Sequence, residues 1–152
     1  MTVAWRIVPV PRVTEAFTGE GARLYGGRWN SPGVAMVYAS ATRSLAALET
    51  LVHINPLLPV KYVIYQAGFD DRLIESISAA KLPAGWSAEP PGPASMDIGD
   101  RWAKTSRSVV LAVPSILTGE TNYLLNPAHP DFKKIKIGKP EPFVFDPRLL
   151  KK

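Results

Sequence analysis

Five consecutive residues near the start of the chain combine side chains that bind ligands: Gly26, Gly27, Arg28, Trp29 and Asn30. Two adjacent glycines let the backbone turn tightly and approach another molecule closely. The next three residues supply a guanidinium, an indole and a carboxamide. The planar guanidinium of Arg28 suits an anion because it donates paired hydrogen bonds. This turn is therefore a candidate wall of a binding site.

A carboxylate that could face the same pocket is found at Glu49, within residues 44–53, which have strong helical character. Successive helical residues are about 100° apart, so one apolar arc is predicted to face the core. That arc consists of Leu45, Leu48, Leu51 and Val52. Glu49 lies at its shoulder. His53 would stack one turn above Glu49 on the same side, so the two are predicted to line a cleft edge together.

The elements that must position these residues are mostly strands. Apolar, β-branched and aromatic runs predict strands at residues 5–10, 34–39, 60–69, 108–114, 135–138 and 142–146. Ser40 or Thr42 is predicted to cap the start of the helix, and Asn55 with Pro56 to end it. Because only one helix is strongly indicated, the fold is predicted to be α+β, with more strand than helix.

The remaining segments have weaker patterns. Residues 14–30 hold four glycines and no sustained period, so they are predicted to form a loop. Residues 82–96 contain too many prolines and glycines for a regular element. Residues 97–105 are compatible with a short helix that carries Trp102 inward. Residues 120–130 hold several amides and a histidine and are predicted to be loop-like.

The composition is that of one globular domain. The chain has 152 residues, of which 46% are hydrophobic and 20% charged, so it is too apolar for intrinsic disorder. It has no cysteine, which excludes a disulfide framework, and no apolar run typical of a signal peptide or a membrane span. These features predict a soluble protein of the cytoplasm.

The formal charge of +5 favours an anionic partner without identifying it. A non-enzymatic module that binds an anion such as nucleic acid is therefore one hypothesis. It is supported by a group of lysines near the carboxyl end: Lys133, Lys134, Lys136 and Lys139. Against it, the chain has little of the alternation of basic and aromatic residues that is typical of nucleic-acid readers.

Familiar cofactor and catalytic motifs are absent from the sequence. The segment that begins at Gly19 resembles the start of a dinucleotide fingerprint, but Leu24 occupies its third glycine position. No Walker-type phosphate loop is present. With His53 and His129 as the only histidines, no metal site is expected. A Ser-His-Asp hydrolase is not indicated either, because Ser115 does not lie in a G-x-S-x-G elbow.

Several separated motifs, in order along the chain, resemble the RES domain family, which is named for its arginine, glutamate and serine. They are Gly27-Arg28-Trp29-Asn30, the helical residues 44–53, Val113-Pro114-Ser115 and Asn126-Pro127-Ala128-His129-Pro130. The likeness spans nearly the whole chain, so residues 1–152 are predicted to form a single RES domain. It implies an ADP-ribosyltransferase-like fold with a mostly antiparallel, split β core and a few helices.

The resemblance also implies a function. RES proteins are toxins of bacterial type II toxin–antitoxin pairs. They are usually encoded beside an Xre-type helix-turn-helix antitoxin, which would block the active site and bridge a toxin homodimer. Their substrate is NAD⁺, which some members consume by hydrolysis or phosphorolysis and at least one branch uses for protein ADP-ribosylation. A separate cofactor, a metal, a membrane and direct nucleic-acid binding by the toxin alone are not implied.

Carried over residue by residue, the family's arginine, strand tyrosine and glutamate fall on Arg28, Tyr38 and Glu49, the expected catalytic residues. Nicotinamide leaves NAD⁺ neutral and needs no proton, so one carboxylate suffices where ordinary glycoside hydrolysis needs two. Glu49 would stabilise the oxocarbenium-like ribose of the transition state. Arg28, with Arg6 as a further family arginine, would hold the pyrophosphate, and Tyr38 would stack on the nicotinamide or the ribose.

Three more residues are substrate-binding candidates beside Arg6. The family's serine falls on Ser115, which would bond a ribose hydroxyl, the carboxamide or Glu49 itself. His53 and Asn126 are candidates for orienting Glu49 or a nucleophile. Purely structural interpretations stay open: a serine after a proline suits a helix cap, a tyrosine in an apolar strand suits the core, and glutamates are usually exposed.

Overall fold

The computed structural model describes residues 1–55 and 60–151. The strands are β1 (Thr2–Pro9), β2 (Val37–Ser40), β3 (Tyr62–Phe69), β4 (Ile74–Ser76), β5 (Val110–Pro114), β6 (Thr121–Leu125), β7 (Lys136–Ile137) and β8 (Glu141–Phe143). The helices are α1 (Glu20–Tyr25), α2 (Arg43–Leu51) and α3 (Pro93–Thr105). The prediction of an α+β fold with more strand than helix is confirmed. In this described part of the chain, no helix is long and apolar enough to cross a membrane.

All strands join one sheet in the order β4-β5-β6-β2-β1-β3-β7, and β8 also pairs with β3. Every pairing is antiparallel except that of β4 with β5. β1 pairs with β3 along its whole length but meets β2 at a single register position, Trp5 opposite Ser40. The sheet is therefore divided at a seam between β1 and β2, and the predicted split, mostly antiparallel core is confirmed.

The two faces of the sheet bury different clusters, because alternate residues of a strand point to opposite faces. Ser40 and Asn122 are register partners and point to one face, which we call the site face. On this face α3 packs through Trp102, which is buried as predicted, and α2 packs through Ala46. The opposite face buries a second cluster around Val37.

Helix α2 is shorter than predicted and is rotated about its axis. Thr42 caps it, since its hydroxyl accepts a hydrogen bond from the Leu45 amide at 3.0 Å. Leu45 is buried, but Leu48 and Val52 are 41% and 58% exposed, so their predicted burial is wrong. The sheet-facing arc instead runs through Leu45, Ala46 and Glu49, since Glu49 follows the other two by four and three positions. Of the pair predicted to end the helix, Pro56 lies outside the described residues.

The six predicted strands are confirmed as β1, β2, β3, β5, β7 and β8, with shifted ends. Two predicted loops are wrong, because residues 14–30 contain α1 and residues 120–130 contain β6. The short strand β4 was not predicted. Helix α3 begins at Pro93, inside the segment predicted to be irregular, because proline fits the first turn of a helix, where its missing N–H has no partner to lose.

Candidate active site

The candidate site is built around Glu49, a half-buried carboxylate on α2. Its Oε2 atom accepts a hydrogen bond from Nδ2 of Asn122 on β6 and a longer one, 3.4 Å, from Oγ of Ser115. Ser115 directly follows β5, and Thr121 opposite Pro114 closes the β5–β6 hairpin. The hairpin therefore brings both donors under the helix, and of the partners predicted for Ser115, Glu49 is the one it contacts.

Asn122 is in turn oriented by Ser40 of β2, whose Oγ donates to Asn122 Oδ1 at 2.7 Å. Neither residue was predicted to belong to the site, although Ser40 was one of two candidates for the cap of α2. The amides of residues 120–130 were noted, but without strand β6 nothing indicated which of them faces the helix. The side chain that contacts Glu49 comes from the strand position opposite Ser40.

Ser115 is almost fully buried and has a structural task as well. Its Oγ accepts from the Leu117 amide at 3.1 Å, and its own N–H donates to the Glu120 carbonyl at 2.7 Å. These bonds fix the turn after β5 and leave the hydroxyl proton for Glu49. A turn-forming role and a contact with Glu49 are thus combined in one side chain.

Tyr38 lies on the site face, two residues and roughly 6.6 Å along β2 from Ser40. Its hydroxyl donates to Asn30 Oδ1 at 2.6 Å and accepts from the Trp29 amide at 3.0 Å. A Cβ on Gly27 would lie 2.6 Å from this hydroxyl, which explains a glycine there. Burial raises the pKa of Tyr38 well above its ordinary value, so the hydroxyl stays neutral and does not act as a base.

Trp29 and Asn30 hold the turn in shape. Asn30 is fully buried, and its Nδ2 donates to the carbonyls of Ala22 and Val34 at 2.8 and 3.0 Å. Trp29 is buried and stacks on Trp86 with ring centroids 5.9 Å apart. Both side chains therefore have a structural role in the turn.

Arg28 is held by the segment after Trp86 and is only 13% exposed. One guanidinium nitrogen donates to the carbonyls of Trp86 and Ala88 at 3.1 and 2.8 Å, and another pairs with Glu89 Oε2 at 2.7 Å. Ser95 on α3 donates to the Arg28 carbonyl at 2.6 Å. The structure thus joins Arg28 to residues 86–89, whereas Glu49 is contacted by Asn122 and Ser115.

Arg6 lies in the seam between β1 and β2. Its guanidinium donates to the Ala16 carbonyl at 2.7 Å and to the Tyr38 carbonyl at 2.8 Å. Part of the residue is accessible, but desolvation of the guanidinium lowers its pKa to about 10. Arg6 therefore remains a cation at neutral pH, placed directly against the strand that carries Tyr38 and Ser40.

Neither His53 nor Asn126 is joined to Glu49. The prediction that His53 stacks one turn above Glu49 is wrong, because α2 ends at Leu51 and His53 lies exposed beyond it. Asn126 is buried on the end of β6, where its amide donates to the Ala103 carbonyl at 3.0 Å and accepts from the Ala128 amide at 3.1 Å. The amide beside Glu49 belongs to Asn122.

A surface cavity of about 600 Å³ lies away from these residues, between α3 and the segment after β4. Ile77, Lys81, Ile98, Arg101 and Arg107 are among the residues that line it, and its basic side chains are exposed. None of the predicted site residues borders it. Within the described ranges, no three His, Asp or Glu side chains are grouped so that they could hold a metal ion.

Comparison with known proteins identifies the same family that the sequence motifs resemble. The family model of the RES domain matches residues 3–146. The "Prs ADP-ribosylating toxin" of Sphingobium sp. (strain YBL2) is 44% identical over 99% of this chain and 98% of that protein. "Toxin Res" of Yersinia enterocolitica is 39% identical over 95% and 97%, and "Toxin Res" of Photorhabdus laumondii 37% over 98% and 97%.

The fold also matches a solved structure. A chain in the crystal structure of the M. tuberculosis MbcT–MbcA toxin–antitoxin complex superposes with a TM-score of 0.77 at 17% identity, covering 98% of this chain and 86% of that one. At this identity the likeness concerns the fold. The predicted ADP-ribosyltransferase-like fold is confirmed.

Proposed function

The chain belongs to the RES domain family, and from this membership we propose that it is the toxin of a toxin–antitoxin pair, cleaving NAD⁺ at the nicotinamide–ribose bond in the cytoplasm. The observation that carries the proposal is the Glu49 carboxylate held by Asn122 and Ser115 on the site face. A carboxylate fixed in this way suits a reaction that builds positive charge on a sugar ring.

In the proposed reaction the carbon–nitrogen bond between ribose and nicotinamide breaks, and its electron pair neutralises the pyridinium nitrogen. Nicotinamide then leaves without a proton, so no general acid is needed. The ribose carbon becomes oxocarbenium-like, and Glu49 stabilises this charge more strongly in the transition state than in bound NAD⁺. Because Glu49 is half-buried and already oriented, little reorganisation accompanies the step.

Arg28 supports binding of the pyrophosphate on the site face. Arg6 alternates with Trp5 on β1, so its side chain points to the opposite face, and its guanidinium reaches the seam at the Tyr38 carbonyl. Arg28 is paired with Glu89, whose side chain is 73% exposed, and an ion pair with so accessible a partner contributes at most about 1 kcal/mol. A substrate phosphate can therefore replace the Glu89 carboxylate on Arg28 at little cost. Tyr38 would then offer its ring to the nicotinamide or ribose.

The second step depends on the acceptor. Water gives ADP-ribose and a proton, and phosphate gives the 1-phosphate ester of the same ribose, so the enzyme would be an NAD⁺ glycohydrolase or phosphorylase. A protein side chain would make it an ADP-ribosyltransferase. This second candidate is favoured by the Sphingobium relative, which is named an ADP-ribosylating toxin.

Nicotinamide release tests the proposal for all acceptors at once. Purified protein is incubated with NAD⁺ alone, with phosphate, and with a bacterial lysate containing NAD⁺ labelled in its adenylate. Release of nicotinamide is expected in at least one of the three, with labelled ADP-ribose, its phosphate ester or a labelled protein band identifying the acceptor. No release under any of these conditions would contradict the proposal.

We further propose that an antitoxin, of the Xre helix-turn-helix type, covers the Glu49 cleft and that the toxin forms a homodimer in that complex. The structural neighbour is a toxin–antitoxin complex. Exposed Leu48, Val52 and Leu117 lie on or next to the elements that carry Glu49 and Ser115, as a covered surface requires. Co-expression with the adjacent reading frame should yield an inactive complex whose mass gives the stoichiometry; a free, active toxin would contradict this arrangement.

A further inference from the structure

We propose that Ser40 and Asn122 are positioning residues for Glu49, which together fix one oxygen of its carboxylate and leave the other to face the substrate. The inference deepens the proposed function and depends on the role of Glu49 in it. Neither residue is expected to touch NAD⁺ during the reaction. Both act through the carboxylate.

The chemistry of the three groups fixes the direction of each hydrogen bond. An ionised carboxylate only accepts, so the edge of Asn122 that faces Glu49 must be its NH₂ group. The amide oxygen then needs a donor, which is the Ser40 hydroxyl at 2.7 Å. Ser40 is only 4% exposed, so water has little access to take its place. The Asn122 amide is therefore held in the orientation that Glu49 requires.

The strands make this arrangement rigid. Ser40 and Asn122 are register partners on β2 and β6, which pair along all four residues of β2. Strand β6 is also paired with β5 along its length, so its backbone is held from both sides. Helix α2 rests above through Leu45 and Ala46, on the arc that contains Glu49. A rigid strand therefore sets the position of a side chain carried by a helix.

The two oxygens of Glu49 are used differently. Asn122 and Ser115 both donate to Oε2. Among the residues that the structure describes, no donor reaches Oε1, so this oxygen is the one available to the ribose. If Ser40 is removed, the Asn122 amide can rotate and place its oxygen against Oε2, where two acceptors repel each other. Glu49 would then lose its fixed orientation.

Kinetics of single and double variants test this assignment. Ser40→Ala is expected to lower kcat for nicotinamide release roughly 10-fold or more, with KM changed less than about twofold, because misorientation of a catalytic group affects the chemical step. In an Asn122→Ala background, Ser40→Ala should cause no further loss, since Ser40 acts only through Asn122. Additive losses of kcat would show that Ser40 does not act through Asn122. They would overturn the proposal and leave Ser40 a structural residue.

Ser108→Ala is the matched control. It also removes a serine hydroxyl, here from a partly buried residue that accepts from Trp102 Nε1 at 2.8 Å and donates to the Val110 carbonyl at 3.0 Å. Its kcat is expected to equal that of the wild type, while its thermal stability falls about as far as that of Ser40→Ala. A similar loss of kcat in both variants would mean that destabilisation, not positioning, lowers activity.

Asn122→Asp adds a readout that a merely structural role would not change. It places a second carboxylate against Oε2, and two adjacent carboxylates share a proton. The acid limb of the pH–rate profile is therefore expected to move to higher pH, with kcat recovering as pH rises. A pH–rate profile that does not shift would exclude contact between residue 122 and the Glu49 carboxylate.

A measurement on the free protein separates this inference from the proposed function. In ¹⁵N-labelled wild type, the Asn122 side-chain NH₂ protons should exchange slowly with water, and exchange should speed up in both Ser40→Ala and Glu49→Gln. Slow exchange with no NAD⁺ turnover would refute the enzymatic function and keep the positioning contacts. Fast exchange in a wild type that turns over NAD⁺ would refute the positioning role alone.

Discussion

Gly99→Ala measures how closely α3 must approach the turn that carries Arg28. Gly99 lies in the middle of α3 and is buried. A Cβ at this position would lie 1.7 Å from the Trp29 carbonyl oxygen and 2.7 Å from its carbonyl carbon. Both are backbone atoms of the turn, so no rotamer change relieves the clash. The helix would have to withdraw by on the order of 1.5 Å to restore ordinary contact distances.

Two opposing effects determine how much Gly99→Ala changes the stability of the fold. Alanine is favoured over glycine inside a helix by about 1 kcal/mol, which alone would raise stability. Overpacking a buried contact costs about 1–3 kcal/mol, and a clash with backbone belongs at the upper end. We therefore expect a net loss of about 2 kcal/mol, or about 4–8 °C in Tm for a domain of this length.

Thermal unfolding followed by circular dichroism checks the expectation, with Gly92→Ala as the control. Gly92 precedes the same helix, has an ordinary backbone conformation, and an added Cβ there meets nothing within 4 Å. Because Gly92 is the N-cap residue, its replacement by alanine should cost about 0.5–1 kcal/mol, clearly less than the loss expected for Gly99→Ala. An unchanged or higher Tm for Gly99→Ala would refute the close approach of α3 to the turn.

Three further substitutions test single contacts. Glu89→Gln removes the carboxylate that competes for Arg28, so KM for NAD⁺ in steady-state kinetics should fall about twofold to fivefold; an unchanged KM would mean that Arg28 only holds residues 86–89. Tyr38→Phe should cost about 1–3 kcal/mol through its two lost hydrogen bonds. Burial raises the pKa of Tyr38, so above pH 10 the folded protein keeps a proton that the unfolded chain releases, and stability falls with pH by up to about 1.4 kcal/mol per unit. Urea unfolding should show that the free energy of unfolding falls less between pH 9 and pH 11 in Tyr38→Phe than in the wild type. Equal falls in the two proteins would contradict this. Asn126→Ala should lower stability by about 1–3 kcal/mol, because the buried hydrogen bonds of the Asn126 amide to the Ala103 carbonyl and the Ala128 N–H are lost, and should leave kcat unchanged; a lower kcat at unchanged Tm would place Asn126 in the site.

Local patterns predicted the parts of the fold that depend on local chemistry. The apolar, β-branched runs were strands, and Thr42 capped α2 as its type and position indicated. Strand β6 was missed because its first residues are polar, and their reason for being polar is tertiary: Asn122 faces Glu49. The rotation of α2 was misjudged for the same reason, since counting apolar residues gives no weight to a partly buried carboxylate.

The site itself depends on contacts between residues far apart in the chain. Ser115 contacts Glu49, which is one of the three partners that the sequence left open for it. Ser40 and Asn122, however, are separated by 82 positions, and Arg28 meets its carbonyl partners 58 and 60 positions away. The first pairing follows from strand order and the others from the packing of two loops, and no spacing within one segment predicts either.

The rate of nicotinamide release by Glu49→Gln at saturating NAD⁺, compared with that of the wild type, tests the catalytic role of Glu49. The amide oxygen of glutamine can still accept from Asn122, so the fold and NAD⁺ binding should persist while the charge that stabilises the ribose is lost. Exposed Glu15 offers the matched control, Glu15→Gln. We expect kcat to fall about 100-fold or more for Glu49→Gln and to stay unchanged for the control. Release of nicotinamide at the wild-type rate by a folded Glu49→Gln variant would contradict the catalytic role of Glu49.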